Sequence, residues 1–171
     1  MTVSKQSQNL KRRLYRCNGE FYVFVNKEVK DLDSIFDILK SEHIWVKQQF
    51  QQIIDKRDMA LFSQTLGPLT MHMSGEEALF YPKLQANPDT KVLALKLYEA
   101  HNAGKDLVGK MKSTQADDMW LAQVELLSDM LAAHIADEET NVFPAAKTFI
   151  SEKEAMDIGM QYQNRNKPKN V

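Results

Sequence analysis

The chain contains almost no cysteine and carries almost no net charge. Cys17 is the only cysteine among 171 residues, which excludes an internal disulfide and a cysteine-rich zinc site and indicates a reducing, cytoplasmic compartment. The formal net charge of −1 argues against broad electrostatic binding to nucleic acid or to an anionic membrane. No apolar run approaches the ~18 residues of a membrane span, and no N-terminal stretch resembles a signal peptide.

Glycine is also scarce, with six residues in the whole chain. The sequence has no Gly-rich phosphate loop, no serine-centred nucleophile elbow and no alternation of strand and helix patterns. Apolar residues make up 43% of the chain and charged residues 26%, which is typical of a globular protein. At this length the chain is expected to form one ordinary domain with a substantial core.

The N-terminal arm, residues 1–30, differs in composition from the rest. Asn18-Gly19 separates a basic stretch from a β-branched and aromatic run, and this pattern favours a β-hairpin over residues 12–25. A disordered arm is the alternative. An isolated hairpin is marginally stable, so it should pack on the main domain or hold two chains together as a homodimer.

Residues 31–162 show a helical pattern. Ile35, Ile38, Leu39 and Val46 illustrate the recurrence of apolar residues at three- and four-residue steps. Capping and turn residues divide the region into four long helices and one short one, at about 34–57, 58–85, 87–112, 117–148 and 151–161. Long amphipathic helices joined by short turns predict an all-α, up-down-up-down four-helix bundle with a short C-terminal helix. Residues 163–171 are expected to be a disordered tail.

Prolines mark several expected boundaries. Asn87 and Pro88 predict the cap and first position of the third helix. Pro68 is expected to bend or break the second helix. Pro82 and Pro144 should bend or end the second and fourth helices.

Each long helix contains one histidine on its apolar face. Successive histidines are almost equally spaced, and the midpoints between them fall on the predicted turns. In antiparallel helices, residues equidistant from the connecting turn lie at the same height, so all four imidazoles should form one layer. The four are His43, His72, His101 and His134.

Two of these histidines open a repeated phrase, "HMSGEEALFYP" from His72 and "HIADEETNVFP" from His134. Glu76 and Glu138 follow their histidines by four residues, so they share the inward face of the helix. A lone inward histidine is usually a hydrogen-bonded core residue. Two buried carboxylates without partners would be costly, and cations bound by four imidazoles and two carboxylates would resolve that cost. The sequence therefore predicts two metal ions bridged by carboxylates, with iron, zinc, manganese or copper as suitable metals.

The residues beside these six have less certain roles. Glu77 and Glu139 point about 100° away from the bridging positions, so they are either solvated or support a ligand from behind. Tyr81 and Phe143 occupy equivalent places in the repeated phrase and are expected in the apolar core. Lys105, one turn after His101, either lies at the metal or extends outward to solvent.

Residues 34–150 resemble the hemerythrin-like, or HHE cation-binding, domain family. The resemblance lies in "ILKSEHIWVKQQF", "HMSGEEALFYPKL", "YEAHNAGKDLV" and "HIADEETNVFPAA", one segment per long helix. It implies a non-haem diiron centre with an oxo or hydroxo bridge. By analogy with the family, the first pair of histidines would hold one iron, the second pair the other, and Glu76 and Glu138 would bridge them.

The chain departs from the oxygen-carrying hemerythrins at two positions. Those proteins have a further histidine where this chain has Lys105, and an aspartate where it has Glu139. The resemblance is therefore to the bacterial branch of the family.

The resemblance implies a protein that binds or senses O2, NO or peroxide. The alternatives are an iron-handling or stress-response protein of the iron–sulfur repair type, a peroxide- or NO-consuming enzyme, and an interaction module with a structural metal. The sequence does not choose between binding protein and enzyme.

Overall fold

In the computed structural model, residues 10–17, 20–27, 33–115 and 117–165 are described. Two of the long helices each contain a single turn of π-helix, called here the first and second π turns. The helical elements, in chain order, are α1 Ile35–Lys56, α2 Met59–Gly75, the first π turn Glu76–Phe80, α3 Tyr81–Ala86, α4 Lys91–Met111, α5 Asp118–Asp137, the second π turn Glu138–Val142, α6 Phe143–Ala146 and α7 Glu152–Arg165.

The helices close into the predicted bundle. Helix α1 packs on α2, α3 packs on α4, α4 packs on α5, and α5 returns to α1. Helix α7 lies against α1 and the first π turn. The all-α bundle with a short C-terminal helix is therefore confirmed.

Side-chain caps start α1, α2 and α5 where the sequence predicts. The Ser34 hydroxyl accepts a hydrogen bond from the Asp37 backbone N–H at the start of α1. The carboxylates of Asp58 and Asp117 accept backbone N–H groups in the first turns of α2 and α5. Each cap accepts a hydrogen bond from backbone N–H groups that have no partner within the helix, and this fixes the residue at which the helix begins.

The predicted start of the third helix is wrong. Helix α4 begins at Lys91, after Pro88, because Asn87 forms a turn instead of a cap. Its side-chain oxygen accepts a hydrogen bond from the Asp89 N–H at 2.9 Å. The Thr90 hydroxyl donates to a carbonyl of the preceding helix at 2.7 Å, which ties the turn down.

Pro68 behaves differently from Pro82 and Pro144. Helix α2 continues through Pro68, whose apolar ring is buried in the bundle. Pro82 and Pro144 each follow a π turn and stand at the start of the next short helix. A proline cannot donate the regular helical hydrogen bond, and both interruptions coincide with the end of the repeated phrase.

The apolar core consists of two clusters with the histidine layer between them. One cluster contains Leu39, Phe80 and Leu97, and the other contains Val46, Phe50 and Leu127. His43 lies between Leu39 and Val46 on α1, where the clusters meet. The polar layer is thus covered by apolar side chains above and below.

Helix α7 is longer than predicted. It continues to Arg165, so residues 163–165 are helical and not part of a tail, and residues 166–171 lie outside the described residues. The extension has a physical reason, because Tyr162 near the C-terminal end of α7 is fully buried. That burial anchors the last turns of the helix.

The arm contains two antiparallel strands, β1 Leu10–Cys17 and β2 Glu20–Lys27. Their register pairs Leu14 with Val23 and Cys17 with Glu20. The strands are longer than the predicted hairpin 12–25, and the predicted turn at residues 18–19 lies outside the described residues. Both strands contact α2, and the homodimer through this arm stays a prediction. Within the described ranges, no helix has the length and apolarity needed to cross a bilayer.

Candidate metal centre

The six residues singled out by the sequence lie together in one buried layer. The Nε2 atoms of His101 and His134 are 3.1 Å apart. His43 Nε2 lies 3.2 Å from Glu138 Oε2, and His72 Nε2 lies 3.4 Å from Glu76 Oε1. Every member of the set is at most 9% exposed. The imidazole nitrogens and carboxylate oxygens therefore converge on the same small volume.

Within this volume the ligands form two groups that share one carboxylate. Glu76 Oε1 faces His72 and His43, whereas Glu76 Oε2 lies 3.4 Å from His101 Nε2. The ligand atoms of His43, His72 and Glu76 all lie within 4.8 Å of one another, and so do those of Glu76, His101 and His134. Either group could hold a metal ion, and Glu76 reaches both.

Three buried atoms in the layer support that interpretation. Within the described part of the chain, His43 Nε2, Glu76 Oε1 and Glu138 Oε2 have no hydrogen-bond partner. Buried polar atoms are almost always paired, and leaving one unpaired costs on the order of 1–3 kcal/mol. Metal ions would give each of these three atoms a binding partner. The residues of the layer therefore fit the metal ions that the sequence predicts.

The protonation states also suit metal binding. Burial and the neighbouring His134 lower the pKa of the His101 imidazole to about 4, and burial lowers the pKa of His134. Both imidazoles are therefore neutral near pH 7, which is the form that binds metal. Burial and the Glu138 carboxylate raise the pKa of Glu76. Burial acts in the same direction on Glu138, but the imidazoles of His43, His134 and His72 close to it hold the pKa of Glu138 at about 2.

The second glutamate of each repeated phrase supports a histidine of the other half of the bundle. Glu139 Oε1 lies 2.9 Å from His43 Nδ1, and Glu77 Oε1 lies 2.8 Å from His101 Nδ1. Of the two alternatives left open by the sequence, support from behind is the one observed. Lys105 does not point at the layer, because its ammonium group contacts Glu77 at 2.6 Å.

Sequence reasoning missed Glu42 and Tyr162. Glu42 Oε2 lies 2.9 Å from His72 Nδ1, and it accepts a hydrogen bond from the Tyr162 hydroxyl at 2.6 Å. A signal for Glu42 was available, because it stands three residues after Leu39 and four before Val46, on the apolar stripe. Tyr162 lies beyond the predicted end of its helix.

Tyr81 has a larger role than the core position expected of it. Its hydroxyl donates to Glu138 Oε1 at 2.8 Å and lies 3.2 Å from His101 Nε2 and 3.4 Å from Glu76 Oε2. Burial and the two carboxylates raise the pKa of Tyr81 well above its usual value, which keeps the phenol protonated. Phe143, its counterpart, stacks beside His43 with ring centroids 6.0 Å apart.

Two comparisons with known proteins found a match. The hemerythrin HHE cation-binding domain matches residues 34–146, which contain all six ligand candidates. The fold is similar to the crystal structure of a hemerythrin HHE cation-binding domain-containing protein from Mycobacterium kansasii, with a TM-score of 0.68 and 24% identity. That match covers 78% of this chain and 85% of the other. Comparison with curated proteins finds no match. By the extent of the domain match, the chain belongs to the hemerythrin HHE cation-binding domain family.

Proposed function

We propose that the protein is a non-haem diiron protein that binds or senses O2, NO or peroxide in the core of the bundle. The observation that carries this proposal is the Glu76 carboxylate, whose two oxygens face different histidine pairs. His43 and His72 would hold one iron, and His101 and His134 would hold the other. Glu138 would be the second bridge, since Oε2 lies near both His43 and His134.

The ligand set favours iron used for binding small molecules. Four imidazoles and two carboxylates make a nitrogen-rich site, in contrast to the carboxylate-rich sites of ferritin-like proteins. Bound iron would supply reversible one-electron chemistry and an open position for a small ligand. Glu77, Glu139 and Glu42 would orient the histidines by accepting their Nδ1 protons.

A peroxide-consuming enzyme is the second candidate, and Tyr81 favours it. The phenol is buried, stays protonated and lies within hydrogen-bond distance of both carboxylates. A protonated donor at that place could deliver a proton to a departing oxygen. The iron–sulfur repair alternative and the structural-metal alternative gain no comparable support from the described residues.

Reconstitution with ferrous iron tests the first part of the proposal. Elemental analysis should approach two irons per chain, because two ligand groups are present. A folded protein that takes up no iron would overturn the proposal.

Stopped-flow absorbance separates the two candidate functions. The reduced protein is mixed in turn with O2, NO and H2O2. A persistent absorption band after one equivalent of ligand supports a binding or sensing protein. Repeated consumption of peroxide or NO, with return of the starting spectrum, supports an enzyme.

A further inference from the structure

The metal layer has two similar halves that differ in what covers them. The first half consists of α1, α2 and the first π turn, and the second half consists of α4, α5 and the second π turn. His43 corresponds to His101, and His72 corresponds to His134, by their places in the repeated pattern. The residues behind His72 differ from those behind His134.

In the first half, helix α7 covers the groove between α1 and α2. Tyr162 reaches Glu42, and Glu42 in turn reaches His72 Nδ1. Gly75 makes room for the tyrosine, because a Cβ atom there would collide with the Tyr162 ring. Gly159 of α7 lies close to Ile38 of α1. A carboxylate and an aromatic ring thus occupy the space behind His72.

In the second half, the corresponding residues leave that space open. Ala100 stands where the first half has Glu42, Asp137 stands at the place of Gly75, and Lys96 at the place of Ile38. A cavity of about 340 Å³ lies here, and it is mostly apolar. Its lining includes Leu97, Ala100, His101, Leu127, Met130 and His134.

The polar feature that marks this cavity is His134. The residue is 9% exposed, and its Nδ1 has no hydrogen-bond partner within residues 33–115 and 117–165. The other three histidines each have a carboxylate at Nδ1. The Nδ1 atom has almost no solvent-accessible surface and lies just beneath the cavity wall. With Nε2 turned toward His101, Nδ1 is the ring nitrogen available to carry the proton.

We propose that the cavity binds a small organic acid. Once the side chains that cover Nδ1 move aside, its carboxylate accepts the Nδ1 proton of His134, as Glu42 does for His72, and its apolar body occupies the cavity. The volume lies within the roughly 300–1,000 Å³ range of small-molecule pockets. Lys96 contributes a positive charge to the lining and Asp137 a negative one, and one Asp137 oxygen accepts a hydrogen bond from the Asn141 amide at 2.6 Å.

Binding of an organic acid in this cavity would add to the proposed function and does not depend on iron. A ligand in this cavity would lie against His101 and His134, on the side of the centre that α7 leaves uncovered. Such a ligand would control the approach of small molecules to that histidine pair.

Phenylacetate is a suitable probe because it combines a carboxylate with one aromatic ring. Binding is measured by calorimetry on the full chain, metal-free and zinc-loaded, with 2-phenylethanol as the uncharged match. Phenylacetate should bind saturably and at least about 10-fold more tightly than 2-phenylethanol, since hydrogen bonds to charged acceptors are stronger than those to neutral ones. In protein labelled with ¹⁵N-histidine, the His134 Nδ1–H signal should shift on binding.

Ala100→Glu tests the location, because it would supply the carboxylate that the second half lacks. It should weaken phenylacetate binding at least about 10-fold, which corresponds to ~1.4 kcal/mol. Ala103→Glu on the exposed face of α4 adds the same charge outside the cavity and should leave affinity unchanged. The proposal is overturned by no binding in either metal state, by equal affinity for the uncharged probe, or by an Ala100→Glu variant that binds normally. Because the metal-free protein is included, a failure of iron binding alone would not produce these results.

Discussion

One hydroxyl group distinguishes the two aromatic residues that close the metal layer. The Tyr81 hydroxyl lies within hydrogen-bond distance of the Glu76 and Glu138 carboxylates. Phe143, at the equivalent position, has no hydroxyl. We expect Tyr81→Phe to retain iron, since the six ligand candidates remain, but to slow peroxide consumption by roughly 10²-fold or more through loss of a proton donor. Iron content and single-turnover rates with H2O2 check this.

Tyr98→Phe is the matched control for this prediction. The Tyr98 hydroxyl donates to the Glu77 backbone carbonyl at 3.1 Å and not to the carboxylate of Glu76 or Glu138. It should therefore leave the peroxide rate unchanged. Equal rates in all three proteins would show that the Tyr81 phenol delivers no proton.

The two glutamates in each repeated phrase should respond differently to substitution. Glu76→Gln should reduce binding of both irons together, because the carboxylate faces both histidine pairs. Glu77→Gln should weaken binding by only about 10- to 100-fold, as expected for a residue that supports a ligand from behind. Metal titration of the two variants compares them directly. Loss of one iron alone from Glu76→Gln would contradict a bridging role.

At the scale of residues, helical periodicity was enough to locate the six ligand candidates in one layer. His43 and His101 fall on apolar stripes, and Glu76 and Glu138 follow from one helical turn. Glu42 lies on the apolar stripe of α1, so its inward position could also have been predicted from the sequence. Tyr162 could not be predicted, because its contact with Glu42 spans 120 residues of sequence and depends on how α7 packs.

At the scale of elements, the two π turns are the least predictable feature. In each turn a backbone N–H bonds five residues back, from Tyr81 to the Glu76 carbonyl and from Phe143 to the Glu138 carbonyl. Pro82 and Pro144 signalled an interruption, but apolar spacing does not distinguish a bend from an inserted residue. Since the π turns begin at Glu76 and Glu138, both interruptions lie at the histidine layer.

Helix α7 should be sensitive to any side chain at Gly75. Gly75→Ala would drive a methyl group into the Tyr162 ring, so we expect a loss of about 1–3 kcal/mol in the free energy of unfolding. Urea denaturation of the metal-free protein measures this.

Gly109→Ala is the control, because a Cβ atom at Gly109 meets nothing within 4 Å. Gly109 lies at an exposed position of α4, so this substitution should stabilise the protein by about 0.5–1 kcal/mol through the higher helix propensity of alanine. If the two alanine variants had equal stability, Tyr162 would not be packed against Gly75 in solution.

At the scale of the whole molecule, the ligand candidates join all four long helices. A metal that binds the folded bundle and not the unfolded chain should raise the free energy of unfolding by about 2.7 kcal/mol at 100 times its Kd. Thermal unfolding with and without ferrous or zinc ions checks this. The control is the Glu76→Gln variant, which should gain much less from the same metal concentration.

Acid should destabilise the metal-free bundle through its buried histidines. The pKa of His101 is about 4 in the folded protein against an ordinary value of 6.5, so its contribution is present above pH 6.5 and lost as pH falls toward 4. This amounts to about 3 kcal/mol at 1.36 kcal/mol per unit. Glu76 acts in the opposite sense, because its raised pKa favours the folded state at low pH.

Glu76→Gln removes that opposing contribution. Its metal-free form should therefore lose stability more steeply than the parent between pH 6.5 and 4. Urea denaturation at several pH values in that window measures both slopes. Parallel curves would mean that the Glu76 carboxyl does not titrate there.

The contact between Tyr162 and Glu42 has a consequence for how the protein is made. Helix α1 leaves the ribosome early, whereas α7 emerges only after all four long helices have been synthesised. The hydrogen bonds behind His72 are therefore completed after every ligand candidate has emerged. A metal ion that enters the fully supported site would therefore do so only after α7 has emerged.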